Sequence, residues 1–161
     1  MTLPTGVALA SFDSNKLANL WDILSQFPTT FADGGKDIEE FARRLVAPDS
    51  VVFELDGGMV LLEKIVPGLK AEFHATFWDR KLSARKEVLR DLLIWCFLVF
   101  QLERIETRLV TYARAVRRFL TEKLGFTFEG RMRNAFMNQG ELYDLEVYSI
   151  LREEAIDGSR H

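Results

Sequence analysis

With 161 residues, 48% of them hydrophobic and 28% charged, the chain has the composition of one globular domain long enough to bury a single core. Its formal net charge of -3 is too small to recruit nucleic acid or an anionic membrane through a global field. The one cysteine, Cys96, excludes an internal disulfide and a thiolate zinc cluster, so no metal site is expected.

The predicted elements follow in chain order. Residues 6–12 form a short strand, and Asp13 or Ser14 caps a helix carrying Leu17, Leu20, Trp21 and Leu24 at helical spacing. Residues 27–35 are a loop, and 37–45 a second helix with Phe41 and Leu45 on one face; Pro48 stops it. A hairpin follows, with strands 51–55 and 59–66 about the turn Asp56-Gly57-Gly58. After Pro67-Gly68, a strand runs over 69–78 and a long helix over 83–100. The apolar run within that helix, Leu92 to Phe100, is far shorter than the ~20 residues a bilayer helix needs. Cys96 lies inside this run as a small core residue, because apolar burial raises a thiol's pKa. The N-terminus lacks the basic start and apolar core of a signal peptide, so the expected location is cytoplasmic, with no membrane partner.

The last third begins with a strand over 104–111, where branched and charged residues alternate. A helix follows over 113–124, with Val116, Phe119, Leu120 and Leu124 on one face. Gly125 stands where a helix ends in a left-handed residue. Two more strands, 126–137 and 141–151, are joined at Asn138-Gln139-Gly140. The polar residues 153–161 read as a tail of a single domain spanning 1–161.

The segment Glu122-Lys123-Leu124-Gly125-Phe126, then Glu129-Gly130-Arg131-Met132-Arg133, then Asn138-Gln139-Gly140, and finally Asp144 through Glu154, resembles the C-terminal half of GNAT-superfamily acetyltransferases. Within them it is most similar to the branch that acetylates protein N-termini, and phage-type relatives share the pattern. The resemblance implies an α/β (α+β) GNAT fold: a mixed, mostly antiparallel central sheet of about seven strands flanked by four helices. It implies acetyl-CoA as cofactor, bound where strand 69–78 splays from strand 104–111, with the pyrophosphate at the start of helix 83–100.

The family pattern at that start is Gln/Arg-x-x-Gly-x-Gly/Ala. Trp95-Cys96-Phe97, matched to a family Tyr-Ala-Phe, places it on Arg80, Lys81, Leu82, Ser83, Ala84 and Arg85. Arg80 fits, but Ser83 and Arg85 replace a glycine and a small residue, and the long Arg85 side chain is expected to obstruct the phosphate seat. Alternatively, Arg80, Lys81, Arg85 and Lys86 hold phosphates through their side chains. Thr121 stands where the family has a Tyr that protonates the departing thiolate, and Arg114 where it has an Asn. A threonine hydroxyl is a poor acid, and general-acid help is worth roughly 10²–10⁴-fold.

In strand 69–78, Lys70, Glu72, His74 and Thr76 share one face. A mid-sheet strand covered on both sides should be apolar on both. The polar row therefore marks either a substrate groove, in which Glu72 or His74 is the general base, or a wet or partner-covered face on which Lys70 and Glu72 satisfy each other. Three departures from the cofactor pattern lead to the expectation of a non-catalytic interaction or assembly component, cytoplasmic or a virion part, with a protein partner or second copy and CoA at most optional. The alternative is an acetyl-CoA-dependent N-acetyltransferase acting on a primary amine of a protein or small molecule.

Overall fold

The computed structural model describes residues 1–26, 37–79 and 82–158. The loop expected at 27–35, Arg80, Lys81 and the last three residues lie outside the described residues. Seven strands form one sheet in the order β1-β2-β3-β4-β5-β7-β6: β1 (Val7–Leu9), β2 (Val51–Leu55), β3 (Gly58–Val66), β4 (Lys70–Phe77), β5 (Arg104–Val110), β6 (Thr127–Asn138) and β7 (Glu141–Leu151). Every neighbouring pair is antiparallel except β4–β5, which is parallel. The mixed, mostly antiparallel sheet expected from the sequence is therefore present.

Two layers cover it. Against one face pack α3 (Lys86–Val99) and α4 (Arg114–Phe119): Leu89, Leu92, Leu93, Cys96, Phe97 and Phe119 meet Leu62, Phe73, Ile105 and Ile150 of the sheet. Cys96 is fully buried there, and desolvation pushes its thiol far up, so it is the inert core residue expected. On the other face, α1 (Ser14–Leu24) and α2 (Ile38–Leu45) bring Leu24, Phe41 and Leu45 onto Val52, Met59 and Leu61. Asp13 and Asp37 start these two helices, each carboxylate accepting a backbone N–H three residues on, at 2.8 and 2.9 Å. This second layer rests on β2 and β3, so the polar row of β4 lies at its margin.

Two segments differ from their sequence reading. The helix expected over 113–124 is α-helical only to Phe119 and continues as a π-helical turn, Leu120–Leu124, an irregularity that apolar spacing does not encode. It ends at Gly125 with φ 81°, where an added Cβ would meet only Ile150 Cδ1 at 3.9 Å. Gly125→Ala is thus expected to cost about 1 kcal/mol from backbone conformation alone, measurable by urea denaturation. Part of the presumed polar tail folds as α5 (Arg152–Asp157), with Ala155 buried in the α3 layer and the Glu154 carboxylate accepting the Leu151 N–H. The flanking helices therefore number five among the described residues.

Candidate functional site

The parallel ladder between β4 and β5 is three residues long: Lys70 pairs with Arg104, Ala71 with Ile105 and Glu72 with Glu106. Beyond Glu72, β4 continues to Phe77 while paired only with β3, and β5 continues to Val110 while paired only with β7. The sheet forks there. The β4 backbone groups of 73–77 that point away from β3 consequently have no strand partner.

Glu63, Glu72, Glu106 and Ser149 stand opposite one another across β3, β4, β5 and β7, so they share the face that α1 and α2 leave open. All four are buried. Glu63 is held by Arg44 of α2, through both Nε and Nη2. Glu72 accepts from Lys64 Nζ at 3.0 Å and from Arg108 Nη2 at 3.3 Å. Glu106 accepts from Arg104 Nε at 2.9 Å and lies 3.6 Å from Lys70 Nζ. The bland pairing of Lys70 with Glu72 is therefore not the arrangement found.

Between Glu63 and Glu72 sits His74, its Nε2 3.0 Å from Glu63 Oε1 and 3.7 Å from Glu72 Oε2. Burial alone would raise both carboxylates, but the neighbouring His74, with Arg44 on Glu63 and Lys64 and Arg108 on Glu72, outweighs it and holds each at about 2. Burial alone would lower His74; the two carboxylates reverse this and raise it, against a smaller opposing effect of Arg44. Carboxylate and imidazole ligand atoms of Glu63, Glu72 and His74 lie within 4.8 Å of one another. Arg44, Lys64 and Arg108 already neutralise the two carboxylates, so the cluster is built as an ion-pair network rather than a cage for a divalent cation.

Lys64 reaches this face through a backbone irregularity. Strict alternation from Glu63 would turn it to the opposite face. Instead the β3–β4 register shifts between Glu63 and Val66, and Lys64 takes φ 52°, in the left-handed region. Sequence reasoning missed Glu63, Lys64, Arg44 and Arg108. The one available signal was Glu63-Lys64, a charged pair inside an otherwise apolar strand.

At the other end of the fork, Leu82–Arg85 form a 3₁₀ turn leading into α3. Ala84 is exposed. Arg85 does not project into the helix start as expected. Its guanidinium ion-pairs with Asp79, lies 3.8 Å from Asp56 Oδ2, and stacks on Phe77 at 5.4 Å. The expected obstruction is corrected accordingly, because an acidic side chain and an aromatic face draw Arg85 aside. Among the described residues no side chain caps α3, which continues directly from the 3₁₀ turn Leu82–Arg85.

Thr121 donates its hydroxyl to the Arg117 and Arg118 carbonyls of its own helix, at 3.1 and 3.4 Å. Arg114 is exposed at the start of α4. A cleft of about 540 Å³ between α3, the π turn and α5 brings Lys86, Arg90 and Lys123 beside Glu122, Glu153, Glu154 and Asp157, a mixed set with no preference for an anion.

No family model and no curated protein matches this chain. Solved structures do. Spermidine N-acetyltransferase from Vibrio cholerae in complex with CoA and spermine matches with a TM-score of 0.74 at 16% identity, over 95% of this chain and 99% of that one. The dodecameric structure of that enzyme in an intermediate state gives 0.73 at 16%, over 98% and 100%. The spermidine/spermine N-acetyltransferase SpeG from the same organism, in complex with manganese ions, gives 0.72 at 19%, over 97% and 98%. The expectation of a non-catalytic assembly or virion component is corrected by these matches, since the folds this chain follows end to end are those of acetyltransferases. That expectation rested on side chains at the start of α3; the fork is a feature of the main chain and does not depend on them. At these identities the likeness establishes architecture: the chain has the GNAT fold.

Proposed function

We propose that this protein is an acetyl-CoA-dependent N-acetyltransferase acting on a primary amine. The observation that carries the reading is the fork: β4 leaves β5 after Glu72, beside a buried carboxylate–imidazole cluster. Unpaired β4 amides of 73–77 fit a thioester carbonyl, and the turn leading into α3 would take the diphosphate. Arg80, Lys81, Ser83 and Ala84 belong to the proposed diphosphate seat; Arg85 serves it only by packing the turn against Asp79 and Phe77. Arg114 is proposed at its edge.

Bound acetyl-CoA would supply the activated acetyl group. The chain's own residues then position the amine and take its proton. Of the two candidate bases, Glu72 is the one held ionised at neutral pH. His74, raised by Glu63 and Glu72, lies beside it, its Nε2 3.7 Å from Glu72 Oε2. A carboxylate at about 2 is a weak base, so alignment of the amine and polarisation by the β4 amides contribute most of the rate. Thr121, bound back to its own helix, gives no proton, and the thiolate departs unaided.

Self-association is proposed through β6. It is a sheet edge twelve residues long, with Phe128, Met132 and Met137 exposed. Sedimentation should report at least two chains per particle, and a monomer at high concentration would rule this out. The transferase reading is tested by titrating acetyl-CoA calorimetrically and by thermal shift. A hundredfold excess over Kd should add about 2.7 kcal/mol of stability. Absence of both heat and shift at millimolar acetyl-CoA would end it.

A further inference from the structure

We infer that Lys64 is a positioning residue for acetyl transfer: a bulge in β3 delivers its ammonium to both carboxylate oxygens of Glu72 and holds that carboxylate beside the fork. This rests on the transferase reading with Glu72 as base. Glu63 pairs with Glu72 and Val66 with Lys70, so β3 takes three steps where β4 takes two. The extra residue turns the Lys64 side chain onto the Glu72 face, at a backbone φ of 52°. An L side chain is strained there and glycine is not. The contact accounts for a lysine at such a place: Nζ stands 3.0 Å from Oε1 and 3.0 Å from Oε2.

The groups that hold Glu72 approach from different sides. Lys64 comes from β3, Arg108 from β5 at 3.3 Å, and His74 from β4 itself at 3.7 Å. β3 and β5 flank β4 on opposite edges, and the fork opens on the β5 edge. An amine entering the fork therefore arrives on the side of Arg108, and the Lys64 contact is the one it need not displace. A cation on both oxygens also restrains rotation of the carboxylate more than a contact to one oxygen does. The Lys64 side chain is 52% exposed and that of Glu72 6%, so removing the ammonium opens no internal cavity.

The surrounding charges remain when Lys64 is replaced. Glu63 faces Glu72 from β3, Lys70 and His74 from β4, Glu106 and Arg108 from β5, and Arg44 of α2 stands behind Glu63. Lys70 is drawn to Glu106 and Arg44 to Glu63. Without Lys64, Glu72 is left between two other carboxylates, with Arg108 and His74 as its remaining neighbours. Two effects of opposite sign follow. The carboxylate becomes a stronger base, which favours proton transfer, and it becomes freer to turn, which disfavours it. A fall in kcat thus reports lost alignment, whereas a rise reports that charge alone mattered.

Carboxyl NMR of the full chain across pH follows Glu72 without any acceptor. In Lys64→Met the Glu72 titration should rise by roughly 1–3 pH units from about 2, and in Lys64→Arg it should return. Lys64→Gly, which the φ of 52° accommodates, should match Lys64→Met and guards against a collapsed bulge. Acetyl transfer is measured in parallel, with spermidine, phenethylamine and a free peptide N-terminus as probe acceptors. For whichever is acetylated fastest, Lys64→Met and Lys64→Gly should lower kcat about tenfold without raising KM for the amine or Kd for acetyl-CoA. Lys64→Arg should recover most of the rate. A Glu72 titration that stays in place in a variant melting like the parent would overturn the inference, as would a kcat at or above the parental value. A parent chain that binds acetyl-CoA yet acetylates none of the probes, while Glu72 still responds to Lys64, would count against the transferase reading instead.

Discussion

Glu72→Gln is expected to lower kcat for acetyl transfer by roughly 10²-fold or more, with acetyl-CoA affinity retained. The amide has the carboxylate's shape but cannot take a proton. It also leaves the Lys64 and Arg108 charges beside the fork without their shared partner, which opposes an approaching ammonium. The effect should therefore appear in KM for the amine as well as in kcat. The pH profile separates the two candidate bases. Glu72, held at about 2, is ionised throughout the assay range and contributes no limb near neutrality. His74→Gln should retain more activity than Glu72→Gln and shift no acid limb, because the raised His74 favours its protonated form, which disfavours it as the base. A His74 variant as inactive as the Glu72 variant, with a limb lost from the profile, would reverse the assignment.

The largest stability effect is expected at Glu63, where replacement by Ala should cost about 3–5 kcal/mol, the range for stripping one partner from a buried ion pair. Arg44 and His74, with side chains 18% and 17% exposed, are left facing a cavity. The pH dependence has a definite sign. Glu63 and Glu72 fall from 4.5 unfolded to about 2 folded, so their contribution is complete above about 4.5 and lost as pH falls towards 2. His74 rises from 6.5, so its contribution is complete below 6.5 and lost as pH climbs through the raised folded value. Wild-type stability from this cluster should peak between about pH 4.5 and 6.5, and Glu63→Ala should flatten both flanks in urea melts taken across pH. A variant whose profile parallels the wild type would show that the cluster does not govern stability.

The fold was legible because its determinants are local and repeated. Alternation along β4, the Asp13 and Asp37 caps and the Gly125 stop each act within a few residues and agree with one another. Glu72 and His74 were legible because a polar row on a central strand contradicts its surroundings. Their partners were not. Arg44 comes from a helix and Arg108 from the far side of the fork, and pairing across such distances leaves no mark in a single sequence. The Arg85 side chain was misjudged because its length was visible while Asp79 and Phe77, which turn it away, were separate residues with no evident link. The functional expectation failed for the same reason: it weighed single side chains at the start of α3 and gave no weight to the backbone fork.

The brevity of the β4–β5 ladder has a mechanical consequence. Three residue pairs are a narrow suture between a four-stranded and a three-stranded half, supplemented by the Arg108–Glu72 and Lys70–Glu106 pairs and by the α3 layer. A molecule lodged in the gap would touch both margins and act as a splint. Amide exchange along 73–77 should then slow on occupancy far more than exchange in β2 or β7, making main-chain stiffness itself a gauge of whether the gap is filled.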